Sequence, residues 1–290
     1  MRPVILDTDI GSDVDDILAL VMIAKSPELD LIGITTVYGD TIHRARIAKA
    51  TCDLLQRPEL KIVAGAPKPI SGRQVYWAGH EGDGMSELES ISIDTSIKAE
   101  EYLVATAEQM AGELEILAIG PLTNIAKAIQ LSPEFKSHVK HLYIMGGAFW
   151  LDRPEHNIRC DVNAAQIVFG SGIPLTAVGL DLTLRVWITE QDVQQIALLP
   201  NHLGKTLDNE IRTWWTSRDL SKNNPHDPLA GLAMIHPQIF RFEYCDVKVG
   251  DSGLEFAKTI VSNSGKGAVR IASDVLSRTA EQEIVRRIVS

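Results

Sequence analysis

Short apolar runs alternate with stretches of helical spacing along this chain. Residues 4–6 form a buried-strand run, residues 17–23 repeat apolar positions at helical intervals, and residues 31–37 are strand-like again. The first forty residues therefore predict a βαβ unit. The alternation continues with a helix over 45–55, a strand at 61–63, a helix over 99–110 and a strand at 115–119. Gly120-Pro121 ends that strand and Thr123-Asn124 opens a helix. Further strands are expected at 142–145 and 176–178, then a mainly helical region over 187–235. Extended segments at 247–249, 259–261 and 269–271 precede a last helix at 281–288. The pattern predicts an α/β fold with an open, mostly parallel central sheet flanked by helices, in a single domain spanning 1–290. In such sheets ligands lie at the carboxyl ends of the strands, so the informative polar residues should follow the apolar runs.

The first run leads into Asp7-Thr8-Asp9-Ile10-Gly11-Ser12-Asp13-Val14-Asp15-Asp16, which sets five acids within ten residues around a bend at Gly11. Carboxylates within roughly 4 to 6 Å oppose one another's ionisation, so they stay protonated or surround a hard divalent cation. Helix capping accounts for acids in a first helical turn, Asp13 among them, and leaves Asp7 and Asp9 at a strand end unexplained. An EF-hand is excluded, because Gly11, Ser12 and Leu18 stand where it needs a ligand, a glycine and a glutamate. A phosphotransferase with Asp7 as nucleophile and Asp9 as acid/base remains open on this loop alone.

Composition narrows the classes. The 290 residues are 45% hydrophobic and 23% charged, enough for a large core, and the formal charge of −10 disfavours a nucleic-acid partner. No apolar run is long enough to span a bilayer, and residue 4 already begins a strand, so a cytoplasmic protein without membrane attachment is expected. Cys52, Cys160 and Cys245 are scattered and odd in number, which fits reduced thiols better than disulfides or structural zinc.

The acidic loop resembles the N-terminal signature of the nucleoside hydrolase family, and further blocks resemble that family in the same order. They are Thr35-Thr36-Val37-Tyr38-Gly39-Asp40, His80-Glu81-Gly82-Asp83-Gly84, Gly120-Pro121-Leu122-Thr123-Asn124, Ile144-Met145-Gly146-Gly147-Ala148, Glu155-His156-Asn157 and His226-Asp227-Pro228-Leu229-Ala230. The resemblance implies a calcium-dependent hydrolase of the N-glycosidic bond of a purine or pyrimidine ribonucleoside or a related N-ribosyl compound. It implies Ca2+ held by Asp9, Asp16, the Thr123 carbonyl and Asp227, with Asp9 deprotonating a water that attacks the anomeric carbon. Asp15, Asp40, His80, Met145, Glu155 and Asn157 are expected to contact substrate, and His226 to serve the leaving base. Trp150 and Trp214 are candidates to stack on that base. A dimer or tetramer is implied in the same way.

The chain departs from the family pattern in places. Its acidic loop is one or two residues longer, Asp40 stands where Asn is frequent, and the segment between Met145 and Glu155 is short and carries Arg153. The last of these motivates a 5′-modified substrate, against which Glu155 argues where the modification is a phosphate. The competing classes are a metal-dependent phosphohydrolase, which needs a lysine and a second acidic pair to serve its phosphate and leaves the His-Asp and Glu-x-Asn blocks without a place, and a ribosyl-binding protein without catalysis.

Overall fold

The computed structural model describes residues 1–85, 87–200 and 202–290. Nine strands, β1 (Arg2–Thr8), β2 (Leu29–Thr36), β3 (Lys61–Ala64), β4 (Leu114–Ala118), β5 (Val139–Met145), β6 (Leu175–Val178), β7 (Phe240–Val249), β8 (Thr259–Ser262) and β9 (Val269–Val275), form one sheet in the order β3-β2-β1-β4-β5-β6-β9-β7-β8. Every pairing from β3 across to β9 is parallel, while β7 runs antiparallel to β9 and β8. Between the strands and after them come α1 (Asp15–Lys25), α2 (Thr41–Leu54), α3 (Ala99–Gln109), α4 (Thr123–Leu131), α5 (Phe135–His138), α6 (His156–Cys160), α7 (Val162–Phe169), α8 (Leu180–Thr183), α9 (Glu190–Ile196), α10 (Leu203–Arg218), α11 (His226–Ile235) and α12 (Ser277–Val289).

Side chains of the central strands alternate between two apolar clusters. Val4, Leu6, Leu117 and Met145 belong to one, whereas Ile5, Ile116, Ala118 and Ile144 belong to the other. Both faces of the sheet are covered, which is why these strands appear in the sequence as unbroken apolar runs. The expected strands are all present. The strand between β9 and the edge strand β8 is longer than expected, since β7 begins at Phe240 and its first half carries Arg241 and Glu243. Helices of four to eight residues such as α5 to α8 are too short for periodicity to announce them.

The chain leaves β1 toward β2 on one side, and β4 pairs with β1 on the other. This reversal of strand order opens a crevice at the carboxyl ends of β1 and β4. The acidic loop lies there, with the Ile119 N–H donating to the Asp7 carbonyl at 2.8 Å across the switch.

Helix α1 is buried from Asp15 to Ile23 and packs along α11, which is buried from Asp227 to Met234. Gly231 permits the approach, because a Cβ there would stand 2.9 Å from Met22 Cε and 3.0 Å from Ile23 Cδ1. The close crossing puts the first turns of both helices side by side, and the Asp227 N–H donates to the Asp15 carboxylate at 3.2 Å. Gly231→Leu is expected to force the helices apart and cost about 1–3 kcal/mol. Urea unfolding checks this, and unchanged stability would show that the crossing is not tightly packed.

Candidate active site

The acidic loop bends at Gly11, whose φ of +102° is costly for any residue with a side chain. Arg44 of α2, fully buried, holds the bend from below. Its Nε donates to the Tyr38 carbonyl at 2.6 Å, Nη1 to the carbonyls of Asp9 and, at 2.8 Å, Ile10, and Nη2 to Ser12 Oγ at 2.8 Å. Trp77 covers the guanidinium with its ring centroid 4.9 Å away. One arginine thus ties together carbonyls on both sides of the bend and places a cation under the acids.

Asp15 and Asp16 from α1 and Asp227 from α11 bring carboxylate oxygens within 4.8 Å of one another, all buried. Burial pushes each of these acids well above the usual carboxylate range. The neighbours add to it: Asp13 and Asp16 act on Asp15, Asp9 on Asp16, and Asp15 on Asp227. Asp13 is pushed up to about 7 by burial and Asp9, against the backbone N–H of Val14 and the Arg218 guanidinium. Thr8 Oγ1 donates to Asp16 at 2.5 Å, and the N-termini of α1 and α11 face the cluster. These offset only part of the repulsion. An all-oxygen, multiply anionic and buried donor set fits a hard divalent cation, so the residues present suit calcium.

Above the acids opens a cavity of about 530 Å³. Asp9 lines it with the three clustered carboxylates, as do Met145, Glu155 and Asn157 from the ends of β5 and α6, and Trp214 and His226 from α10 and α11. Glu155 caps α6: its carboxylate accepts from the N–H groups of Asn157 at 2.8 Å, Ile158 at 3.0 Å and Gly147 at 3.2 Å. Burial raises it while those N–H groups hold it down. Asn157 Nδ2 donates to the carbonyls of Ile119 and Met145, fixing its amide between β4 and β5. His226 borders the cavity with its Nδ1 2.7 Å from Thr183 Oγ1, and burial lowers the imidazole to about 4.

Four expected site residues stand outside the cavity lining. Asp40 is exposed and caps α2, accepting from the His43 N–H at 2.9 Å. Trp150 is 47% exposed, its N–H donating to Asp181. Thr123 is buried at the start of α4, where its hydroxyl donates to Asp161 at 2.7 Å. His80 lines a separate void of about 20 Å³ together with Asp13, Glu210 and Trp214. Its ring stands 5.6 Å from that of Trp214, so it touches the cavity wall from behind.

The structure adds residues that the motifs did not single out. Arg44 occupies an apolar position in the spacing of α2, with Thr41, Ala48 and Thr51, and that misplacement was a usable signal. Glu81 lines the cavity and its carboxylate accepts from the N–H groups of Ala78 and Gly79. Tyr76 and Arg218 also line it, as does Arg153 of the short segment before Glu155, while no lysine does among the described residues.

The sequence model of the family described as inosine-uridine preferring nucleoside hydrolase matches residues 4–288. The chain belongs to that family. Among curated relatives, a probable uridine nucleosidase 2 of Oryza sativa subsp. japonica is 34% identical over 87% of this chain and 79% of its own length. A pyrimidine-specific ribonucleoside hydrolase RihA of Shewanella sp. is 31% identical over 90% and 86%. Among solved structures, a plant nucleoside hydrolase superposes with a TM-score of 0.89 at 28% identity, covering 100% of this chain and 99% of its own. A purine-preferring ribonucleoside hydrolase from Gardnerella vaginalis gives 0.86 at 28% identity, over 99% and 98%. This nucleoside hydrolase family member is accordingly a nucleoside N-glycosidase with the α/β architecture of its relatives.

Helix α10 of this hydrolase is fastened at Gly84, whose carbonyl accepts from Asn209 Nδ2 at 3.1 Å. A Cβ on Gly84 would lie 1.9 Å from Glu210 Oε1. Gly84→Ala should loosen Trp214 at the cavity wall and raise KM about tenfold, with melting temperature nearly unchanged. An unaltered KM in steady-state kinetics would show that this fastening does not shape the substrate site.

Proposed function

We propose that this hydrolase cleaves the N-glycosidic bond of a ribonucleoside in a calcium-dependent reaction, releasing free base and ribose. The observation that carries the reading is the buried trio Asp15, Asp16 and Asp227 opening onto a nucleoside-sized cavity beside Asp9. Asp9, Asp16, Asp227 and the Thr123 carbonyl are the proposed calcium ligands, with Asp15 close enough to Asp16 and Asp227 to join them or to accept from a ribose hydroxyl. Bound there, calcium would supply a hold on the vicinal ribose hydroxyls and a lowered pKa for a neighbouring water.

The protein's own groups do the rest. Asp9 accepts the proton of the water aimed at the anomeric carbon. The C1′–N bond breaks with its electron pair leaving on the base, and positive charge grows on the sugar ring. Asp15 and Glu155, whose carboxyl groups line the cavity, stabilise that charge. Asn157 is held rigidly enough by Ile119 and Met145 to orient the sugar, and Met145 packs beneath it. His226 donates a hydrogen bond to the departing base, and Trp214 provides a ring face against it. Names among the relatives make uridine the first substrate to test and inosine the second. Family membership supports a homodimer or homotetramer and a cytoplasmic role in nucleoside salvage as parts of the same proposal. Among the described residues no helix is long and apolar enough to cross a membrane.

Release of free ribose from uridine, inosine and uridine 5′-monophosphate, with calcium present and after chelation, tests the reading. Ribose is expected from a plain nucleoside only in the calcium-loaded protein. Asp9→Ala should lower kcat by about 10²-fold or more while the protein still folds. Undiminished release after chelation would contradict the metal assignment, and an unaffected Asp9→Ala rate would remove Asp9 as the base.

A further inference from the structure

The hydrogen bond that His226 offers the leaving base depends on which ring nitrogen carries the proton. A neutral imidazole has one N–H and one bare nitrogen, and only a protonated Nε2 can donate into the cavity if Nδ1 is engaged behind it. Nδ1 lies 2.7 Å from the hydroxyl oxygen of Thr183. Thr183 closes α8, just beyond the carboxyl end of β6, and its side chain is fully buried.

Two arrangements satisfy the distance. If Nδ1 carried the proton, it would donate to the Thr183 oxygen, and the hydroxyl proton would need another acceptor. Among the described residues the hydroxyl has no hydrogen-bond partner besides His226. A buried O–H left without an acceptor is costly, so the hydroxyl spends its single proton on Nδ1. Nδ1 is then the bare nitrogen and the ring proton resides on Nε2.

We propose that Thr183 is a positioning residue for the glycosidic cleavage, which holds His226 in the Nε2–H tautomer so that the imidazole can only donate toward the leaving base. This rests on the reading of His226 as the partner of that base. The bond it serves is C1′–N: the electron pair departs on the base nitrogen, the Nε2–H hydrogen bond stabilises the charge there, and the proton that finally neutralises the base comes from solvent. No proton leaves Thr183. A threonine satisfies the geometry better than a carboxylate would, because a carboxylate accepts only and would draw the ring proton to Nδ1.

The calcium-loaded protein carrying Thr183→Val, Thr183→Ser or His226→Ala provides the test. Two ribosides serve as probes: uridine, whose base leaves poorly, and 4-nitrophenyl riboside, whose phenolate needs no donor. With Thr183→Val the ratio of uridine to nitrophenyl turnover should fall about tenfold or more. Thr183→Ser should restore most of it, because its hydroxyl can donate to Nδ1 again. Nitrogen-15 spectra of histidine-labelled protein, assigned by the signal lost in His226→Ala, should show a bare Nδ1 in the parent protein and a mixed tautomer in Thr183→Val. Equal loss on both ribosides, or a protonated Nδ1 in the parent protein, would overturn the assignment of Thr183. A His226→Ala variant that still cleaves uridine at the parent rate would instead remove His226 from the reaction, and a result confined to Thr183→Val leaves that reading intact.

Discussion

Carboxylates crowded out of water at the end of β1 and the starts of α1 and α11 create a repulsion that the surrounding structure is arranged to contain. Asp15, Asp16 and Asp227 are raised well above the ordinary range, by burial first and then by the neighbouring acids. Every unit of such a shift represents about 1.4 kcal/mol of preference for the neutral form. Two helix N-termini, the Thr8 hydroxyl and the Arg44 guanidinium act against it, and none carries enough positive charge to balance it. A bound divalent cation would convert the same crowding from a liability into affinity.

The fold makes that crowding possible by placing two unrelated stretches of chain at one crevice. Strand order reverses between β1 and β4, so the loop after β1 meets the turn after β4 and, through Asn157, the end of β5. Packing of α1 on α11 at Gly231 then delivers Asp227 to acids more than two hundred residues earlier in the chain. Interior hydrogen bonds extend the same rigidity to the groups proposed to act on the sugar. Glu155 is locked by three backbone N–H donors and His226 by one hydroxyl, so neither must reorganise when substrate arrives.

Much of this was legible in the sequence for physical reasons. Doubly covered parallel strands must be apolar throughout, which made residues 4–6, 31–37, 115–119 and 142–145 stand out. Five acids beside a glycine could not be disguised as helix capping. The ordered blocks led to Glu155, Asn157, His226 and Asp227, all of which line one cavity. What the sequence could not convey was side-chain direction. Asp40 belongs to a matching block yet caps a helix, and Trp150, expected from its place after the glycine pair, is 47% exposed, because sequence position specifies the backbone and not a rotamer. His80 faces a neighbouring void for the same reason. Arg44 showed in the sequence only as a charge on the buried face of α2, and Thr183 not at all, because each acts through a partner remote in sequence, an acidic loop in one case and a histidine 43 residues on in the other.

Calcium titration calorimetry, run at several values of pH and in buffers of different ionisation enthalpy, tests the claim that unbalanced buried acids form the cation site. In the cation-free protein the native state holds protons that the unfolded chain has already lost between the ordinary carboxylate range and about pH 7, so its stability falls as pH rises through that window. Calcium must displace those protons. One calcium per chain is expected, with weaker affinity at pH 5 than at pH 8 and proton release that is larger at pH 6 than at pH 9. Absence of binding at millimolar calcium, or binding with no proton release at any pH, would contradict the account.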